Sequence, residues 1–390
     1  MLSLFHHKQF RYLGAFYLHA VTRLFAVSIF QIFTSIYIYQ TLLSFKFLPN
    51  HALAAVSLLF ALVYLVQALV VTPALWLITK KGLRLSVFLG SIFLIVYFIL
   101  LYLARFDPIF FILGAIFSGI QIGFYWTGYH IFFVELSDDK KQGEELSITS
   151  FLSAISAIGG PAFGGLVINY GGFNAAFLVM TVMMVLAVLP LRYLPKQKNK
   201  IEVNILNILS ALSPKKEIKS YLALAGMAIS DIVNETFWPL LVFPILLGFV
   251  GLGFMGSLVA LIAAVTTIAL GLLIDKFGPK KLLNLFSALD SLVWVVKSFV
   301  ASPLQVFLVS SVSGLTLSGQ GMAIDSEIYE RARQNDIVAF IVQREVGAAA
   351  GKFLFLLLLG ILFWFGLPLV YIFLFAAVTA LLTRLYPFSS

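Results

Sequence analysis

Two carboxylates, Asp231 and Glu235, stand four residues apart inside a long apolar stretch, with Asn234 beside them. On a helix that spacing puts both acids on one face. Two carboxylates so close in a low-dielectric setting do not both ionise readily, and such a group can carry a proton. Arg23 lies near the middle of another apolar stretch, one turn after His19. It can pair with one of the acids or bind an anionic solute; the plainer reading is a permanent bridge from Arg23 to Asp231 or Glu235. His19 reads first as a hydrogen-bonded packing residue and only second as a proton relay. An ionisable group at membrane depth is expensive enough to raise a functional hypothesis for each of these positions.

Further polar groups stand in the same kind of surroundings. Gln121, Tyr125 and Trp126 fall on one helical face, and Gln31 and Trp238 occupy comparable positions in their own stretches. Aromatics with a few amides suit an amphipathic organic solute; for any single aromatic, core packing is the plainer reading. Arg344, Glu345 and Lys352 share one later stretch at spacings of seven and eight. That cluster either coordinates an anion or pairs with the acidic run Asp325, Glu327 and Glu330. Asp325 and Gln320 lie toward the cytoplasmic end of their stretch. Asp290 and Lys297 read as a structural pair or a lateral contact.

The elements that position these groups are long and apolar. Hydrophobic residues make up 61% of the 390-residue chain and charged residues 11%, and the mean hydropathy is +1.03. A soluble domain needs a polar exterior, so this composition fits a surface that faces lipid. A helical span takes roughly 20 apolar residues. Twelve such stretches are expected at about 14–40, 53–78, 85–104, 109–134, 148–170, 173–193, 221–247, 251–274, 282–301, 304–328, 337–361 and 367–385. Their length excludes a barrel, and helices satisfy their own backbone groups in hydrocarbon. The fold class is an all-α polytopic membrane protein.

Charge placement orients it. With both termini in the cytoplasm, 20 of the 26 Lys and Arg residues fall on the cytoplasmic side, against Lys46 and Arg105 opposite. That asymmetry is a strong positive-inside signal. The net charge of +9 therefore belongs to loops beside an anionic leaflet and does not indicate nucleic-acid binding. The first stretch is expected to be an uncleaved anchor. Cysteine is absent, which excludes disulfides and thiolate metal sites.

The longest polar interruption, residues 194–220, divides the chain into a six-helix unit at 1–194, a cytoplasmic linker at 195–220 and a second six-helix unit at 221–390. Segment 75–85 matches 271–281 at an offset of 196, while Glu135 matches Glu330, Gly165 matches Gly360 and Gly171 matches Gly366 at 195. A shared offset of half the chain length indicates a duplication, and parallel six-helix repeats suit a protein that rocks two halves about a midplane site.

Here the chain resembles the major facilitator superfamily, over its whole length. The resemblance rests on six plus six helices, a basic central loop and a loop signature of the form Gly-x-x-x-Asp-x-x-Gly followed by two basic residues. The second half carries it as Gly271, Asp275, Gly278, Lys280 and Lys281, with Pro279 intervening. In the first half Leu75 replaces the glycine and Thr79 the aspartate, while Gly82 and Arg84 remain. The resemblance implies two pseudo-symmetric six-helix bundles, a central cavity lined by the first and seventh helices, and a conformational latch at this loop. The departure puts the first-half latch in doubt. The fifth stretch holds Gly160, Pro161, Gly164 and Gly165, which look like the second half of an antiporter motif, although Ser147 and Ser156 stand where its upstream glycines would be. Glycine-rich helix packing is the alternative reading of that segment.

Enzyme signals fail. There is no His-Glu-x-x-His; Asp138-Asp139 lacks a second acidic cluster; residues 346–353 lack the first glycine and final Ser/Thr of a phosphate loop. No ATP-binding domain is present, so uphill movement would draw on an ion gradient. The expectation is a monomeric secondary transporter in the cell (inner) membrane. It would move a small organic solute by alternating access with proton coupling, without metal or cofactor, and with export slightly preferred. The alternatives are a proton-coupled uptake symporter and a non-transporting sensor or assembly protein of the same fold.

Overall fold

The computed structural model describes residues 2–136, 142–194, 214–334 and 337–388, and every regular element among them is helical. The first half contains α1 (Leu2–Ser28), α2 (Thr34–Ser44), α3 (Pro49–Lys81), α4 (Leu83–Leu103), α5 (Ile109–Leu136) and α6 (Gln142–Val188). The second contains α7 (Pro214–Ile232), α8 (Trp238–Val242), α9 (Phe249–Phe277), α10 (Pro279–Lys297), α11 (Pro303–Gln334), α12 (Ile337–Trp364) and α13 (Tyr371–Leu382). Each expected stretch is helical, with differences at the breaks. The stretches at 148–170 and 173–193 form one element, α6, bent at Gly172 (φ 69°). Residues 195–213, which include most of the linker, and Asp138-Asp139 lie outside the described residues, as do the side chains of Glu135, Ser147, Glu330 and residues 271–275.

Two of the expected single helices are interrupted. Between α1 and α2 the chain tightens into a 3-10 turn at Gln31–Phe33. Nothing in 28–34 is Gly or Pro; instead Ser28 Oγ donates to the Leu24 carbonyl (2.7 Å) and Thr34 Oγ1 to that of Phe30 (3.1 Å). Such back-bonding competes with the helical ladder and bends it. Between α7 and α8 lies a π-helical turn, Val233–Phe237. Pro239 follows it, and a proline ring crowds the carbonyl four residues earlier, here Glu235. Widening the turn relieves that clash, and π-turns recur at functional sites.

Eight candidate spans among the described residues are long and apolar enough to cross a bilayer, with a shorter apolar helix at Tyr371–Leu385. Leu69, Leu178, Leu308, Leu354 and Val378 are each more than half exposed on the outer surface, whereas His19, Asp290 and Lys297 are fully buried. Polar groups inside and apolar groups outside make this a multi-pass membrane protein. Across the chain halves, α3 lies along α12 and α6 along α9; within them, α1 packs on α6, α5 on α3 and α4, and α11 on α9 and α10.

Glycines set the closest of these approaches. A Cβ on Gly164 would meet the Ile29 carbonyl, and Gly165 and Gly253 bring α6 and α9 together at Phe249 and Pro161. Gly82 (φ 90°) and Gly278 (φ 80°), 196 residues apart, adopt matching left-handed turns before α4 and α10. Only glycine enters that region without strain, so the duplicated loop is repeated in backbone as well as in residue type.

Candidate functional site

Helices α1, α3, α5, α7 and α12 surround a cavity of about 540 Å³ between the chain halves. The first half contributes Arg23, Gln31, Tyr64, Gln67, Gln121 and Trp126; the second contributes Asp231, Glu235, Arg344, Glu345 and Lys352. Most of the residues singled out from the sequence therefore converge. Asn234 and Trp238 line a smaller adjoining chamber of about 300 Å³, which shares Gln31, Asp231 and Glu235 with the large cavity. Tyr125 stands behind the wall, fully packed beneath Arg23.

Arg23 does not bridge to Asp231 or Glu235. Its Nη2 donates to Gln121 Oε1 (2.9 Å), and its guanidinium carbon sits 3.4 Å from the centre of the Tyr125 ring. The reason is axial position. Gln31, eight residues along, is the residue that reaches Glu235 (Nε2 to Oε1, 3.0 Å), which leaves Arg23 about 12 Å further down the helix. The cation facing the two acids is Lys352, within electrostatic reach of Asp231, Glu235 and Glu345 and 4.8 Å from the centre of the Tyr64 ring. His19 Nδ1 contacts the Ala187 carbonyl at 2.7 Å, consistent with a packing role.

Arg344 pairs with Asp325 (3.1 Å), tying α12 to α11. Of the two readings of that cluster, pairing with the acidic run is the one seen. Glu345 accepts from Gln67 Nε2 (3.2 Å). This second side-chain bond across the cavity was missed from sequence, although Gln67 interrupts an apolar stretch and intramembrane cost would have flagged it. Tyr64 carried no such signal, since an aromatic there is ordinary core.

Asp290 and Lys297 on α10 do not face lipid. Asp290 accepts hydrogen bonds from Ser230 (3.1 Å), Trp294 (3.1 Å) and Thr316 (2.9 Å). Lys297 donates to Asn234 and to Ser313 (2.9 Å), with its amine 3.9 Å from the centre of the nearer Trp294 ring. Trp238 donates to Ser310 (3.0 Å). This network joins α10 and α11 to the π-turn that carries Asn234 and Glu235.

Of the conformational sequences, Gly160 and Gly164 pack against Ser28 and Ile29 of the first stretch. Ala162, just after Pro161, donates its N–H to Ser257 on α9 (3.0 Å). Lys280 and Lys281 are exposed at the start of α10, while the Asp275 side chain lies outside the described residues. In the first half, Leu75 is buried in an apolar cluster, Thr79 bonds only its own helix, and Arg84 Nη1 donates to the Leu194 carbonyl (3.1 Å).

A sequence profile of the Major Facilitator Superfamily matches residues 20–252. No curated protein sequence matches the chain. Among solved structures, an auto-inhibited POT family peptide transporter is similar at 11% identity, with 96% of this chain and 95% of that one covered and a TM-score of 0.77. A POT family transporter in complex with 5-aminolevulinic acid is 13% identical, covering 96% and 94%, with a TM-score of 0.72. A POT family transporter in complex with a thioalcohol-conjugated peptide gives 13%, 96%, 94% and 0.73. Identities this low establish the shared fold alone.

Proposed function

This chain belongs to the major facilitator superfamily, whose members are transporters and not enzymes, and on that premise we propose a proton-coupled secondary transporter of a small organic solute. The reading takes twelve spans in two six-helix bundles, 1–194 and 221–390, joined by a cytoplasmic linker in the cell (inner) membrane. One observation carries it. The central cavity draws charged groups from both halves, and two hydrogen bonds cross it, from Gln31 to Glu235 and from Gln67 to Glu345. A static scaffold has no use for such groups at membrane depth.

The chemistry follows from the acceptors. An ionised carboxylate only accepts, and a charge-assisted bond is roughly twice as strong as a neutral one. A proton on Glu235 weakens the bond from Gln31 and the pull on Lys352, loosening one half from the other. Away from the linker, Phe173 and Phe249 meet edge to face at 5.2 Å, and His51 stacks on Trp364 at 4.2 Å. These contacts join the two chain halves on that side, and alternating access requires them to part. Export remains the preferred direction on the strength of Gly160, Pro161, Gly164 and Gly165; uptake is the alternative.

The test is reconstitution into liposomes with a panel that includes 5-aminolevulinic acid, dipeptides and hydrophobic amines, with and without a proton gradient. Gradient-driven accumulation should vanish in the Asp231→Asn, Glu235→Gln double variant. Full accumulation by that variant would end proton coupling through this pair. A folded wild-type protein that moves nothing in the panel would favour the non-transporting alternative.

A further inference from the structure

The smaller chamber differs in charge from the large cavity. Its lining holds Asp231 and Glu235 and, among the described residues, no lysine or arginine. The buried amine of Lys297 donates to Asn234 and Ser313 and lies 4.8 Å from the centre of the Trp238 ring, so it stands behind three residues of the lining and does not itself enter it. The large cavity shares these two acids and adds Glu345, and its cations are Arg23, Arg344 and Lys352, the last facing the acid pair from that side. Beyond the two carboxylates the lining carries Ser28, Gln31, Asn234, Ser310 and Ser313, while the wall between α6 and α9 is apolar, formed by Ala157, Pro161, Met255, Val259 and Ala260 with Ile32 beside it. At Gly256 the chamber wall is tight, since a Cβ there would press on Pro161 and Ile32 at 3.0–3.1 Å.

The entrance is the hydrogen bond from Gln31 to Glu235, because both residues line both spaces. Gln31 sits in the 3-10 turn and Glu235 in the π-turn. Neither is locked in a regular α-helical ladder, so each can shift without unwinding a helix.

We propose that this chamber is a cation subsite, in which an organic ammonium rests between Asp231 and Glu235 and inserts its apolar substituent between α6 and α9. The two carboxylates hold the charge, and the apolar wall between α6 and α9 takes up the chain. The proposal deepens the transport reading by naming a substrate class and rests on it for the use of the site. Binding itself is measured without transport, so the two fail separately.

The experiment titrates protein in lipid nanodiscs with methylammonium through n-pentylammonium, subtracting empty nanodiscs. Wild-type Kd should tighten about fourfold per methylene, the worth of one buried methylene. Ala157→Phe and Ala260→Phe, fillers from opposite walls, should each flatten that gain beyond ethylammonium. The Asp231→Asn, Glu235→Gln variant should lose the preference for n-pentylammonium over 1-pentanol. A filler that does not fold is replaced by Val259→Ala, which should extend the gain by a further methylene. No length dependence in wild type, an unaltered slope in the fillers or widened variant, or a preference that survives loss of both acids would overturn the subsite.

Discussion

Removing the two amides that cross the cavity should shift the balance between the protein's conformations. Gln31 and Gln67 each donate from the first half to a carboxylate of the second, at 3.0 and 3.2 Å. A hydrogen bond to a charged group contributes about 1.5–3 kcal/mol when shielded. Gln31 and Glu235 are exposed to the cavity, so water competes and about 1 kcal/mol is the better figure there; the same about 1 kcal/mol is a lower bound for the bond from the buried Gln67. Each loss then shifts the equilibrium about fivefold. The two pairs share no residue, so Gln31→Ala with Gln67→Ala should shift it about 30-fold. A conformer held at about 1% would rise to about a quarter of the population. The chain has no cysteine, so spin labels at Phe106→Cys and Leu304→Cys, both exposed and one on each half, can report the separation by pulsed electron resonance. A second, longer distance should grow stepwise from the single to the double variant. Identical distance distributions in wild type and double variant would refute the claim that these bonds hold the halves together.

Lys297→Met should strip the neighbouring charge from the buried Asp290 carboxylate, at a cost of about 3–5 kcal/mol. At about 2–4 °C per kcal/mol for a unit of this size, that lowers the melting temperature in detergent by on the order of 10 °C. Adding Asp290→Asn should recover part of the loss, and a double variant no more stable than the single one would contradict the coupling. Asp275→Asn should slow transport while leaving affinity near wild type; an unchanged rate would remove the latch role. Lys198→Cys should be labelled by an impermeant thiol reagent only after the cytoplasmic face is exposed, and labelling from outside intact cells would invert the topology.

Part of the candidate site was legible because burial of charge is costly wherever it occurs. Asp231, Glu235, Arg344 and Lys352 stand out in apolar stretches, and the same cost would have picked out Gln67. Partnership was not legible. A linear reading offers Arg23 as the mate of Asp231 and sends Lys352 elsewhere, because the choice depends on how far along its helix each one sits. Asp290 and Lys297 read as peripheral because the side of α10 that turns inward is set by its packing on α11 and α13.

The sequence by itself determined that this is a helical membrane protein and where its apolar stretches run, because hydropathy and chain reach are local properties. It also located the loop at Gly278. Only the tertiary structure decided that Lys352, and not Arg23, faces the acids, that two glutamines cross between the halves, and that an acidic chamber opens beside the main cavity. Those features depend on the relative height and rotation of helices far apart in the chain. That geometry is set by ridges of side chains meeting across an interface and by glycines that let α1, α6 and α9 close to backbone contact.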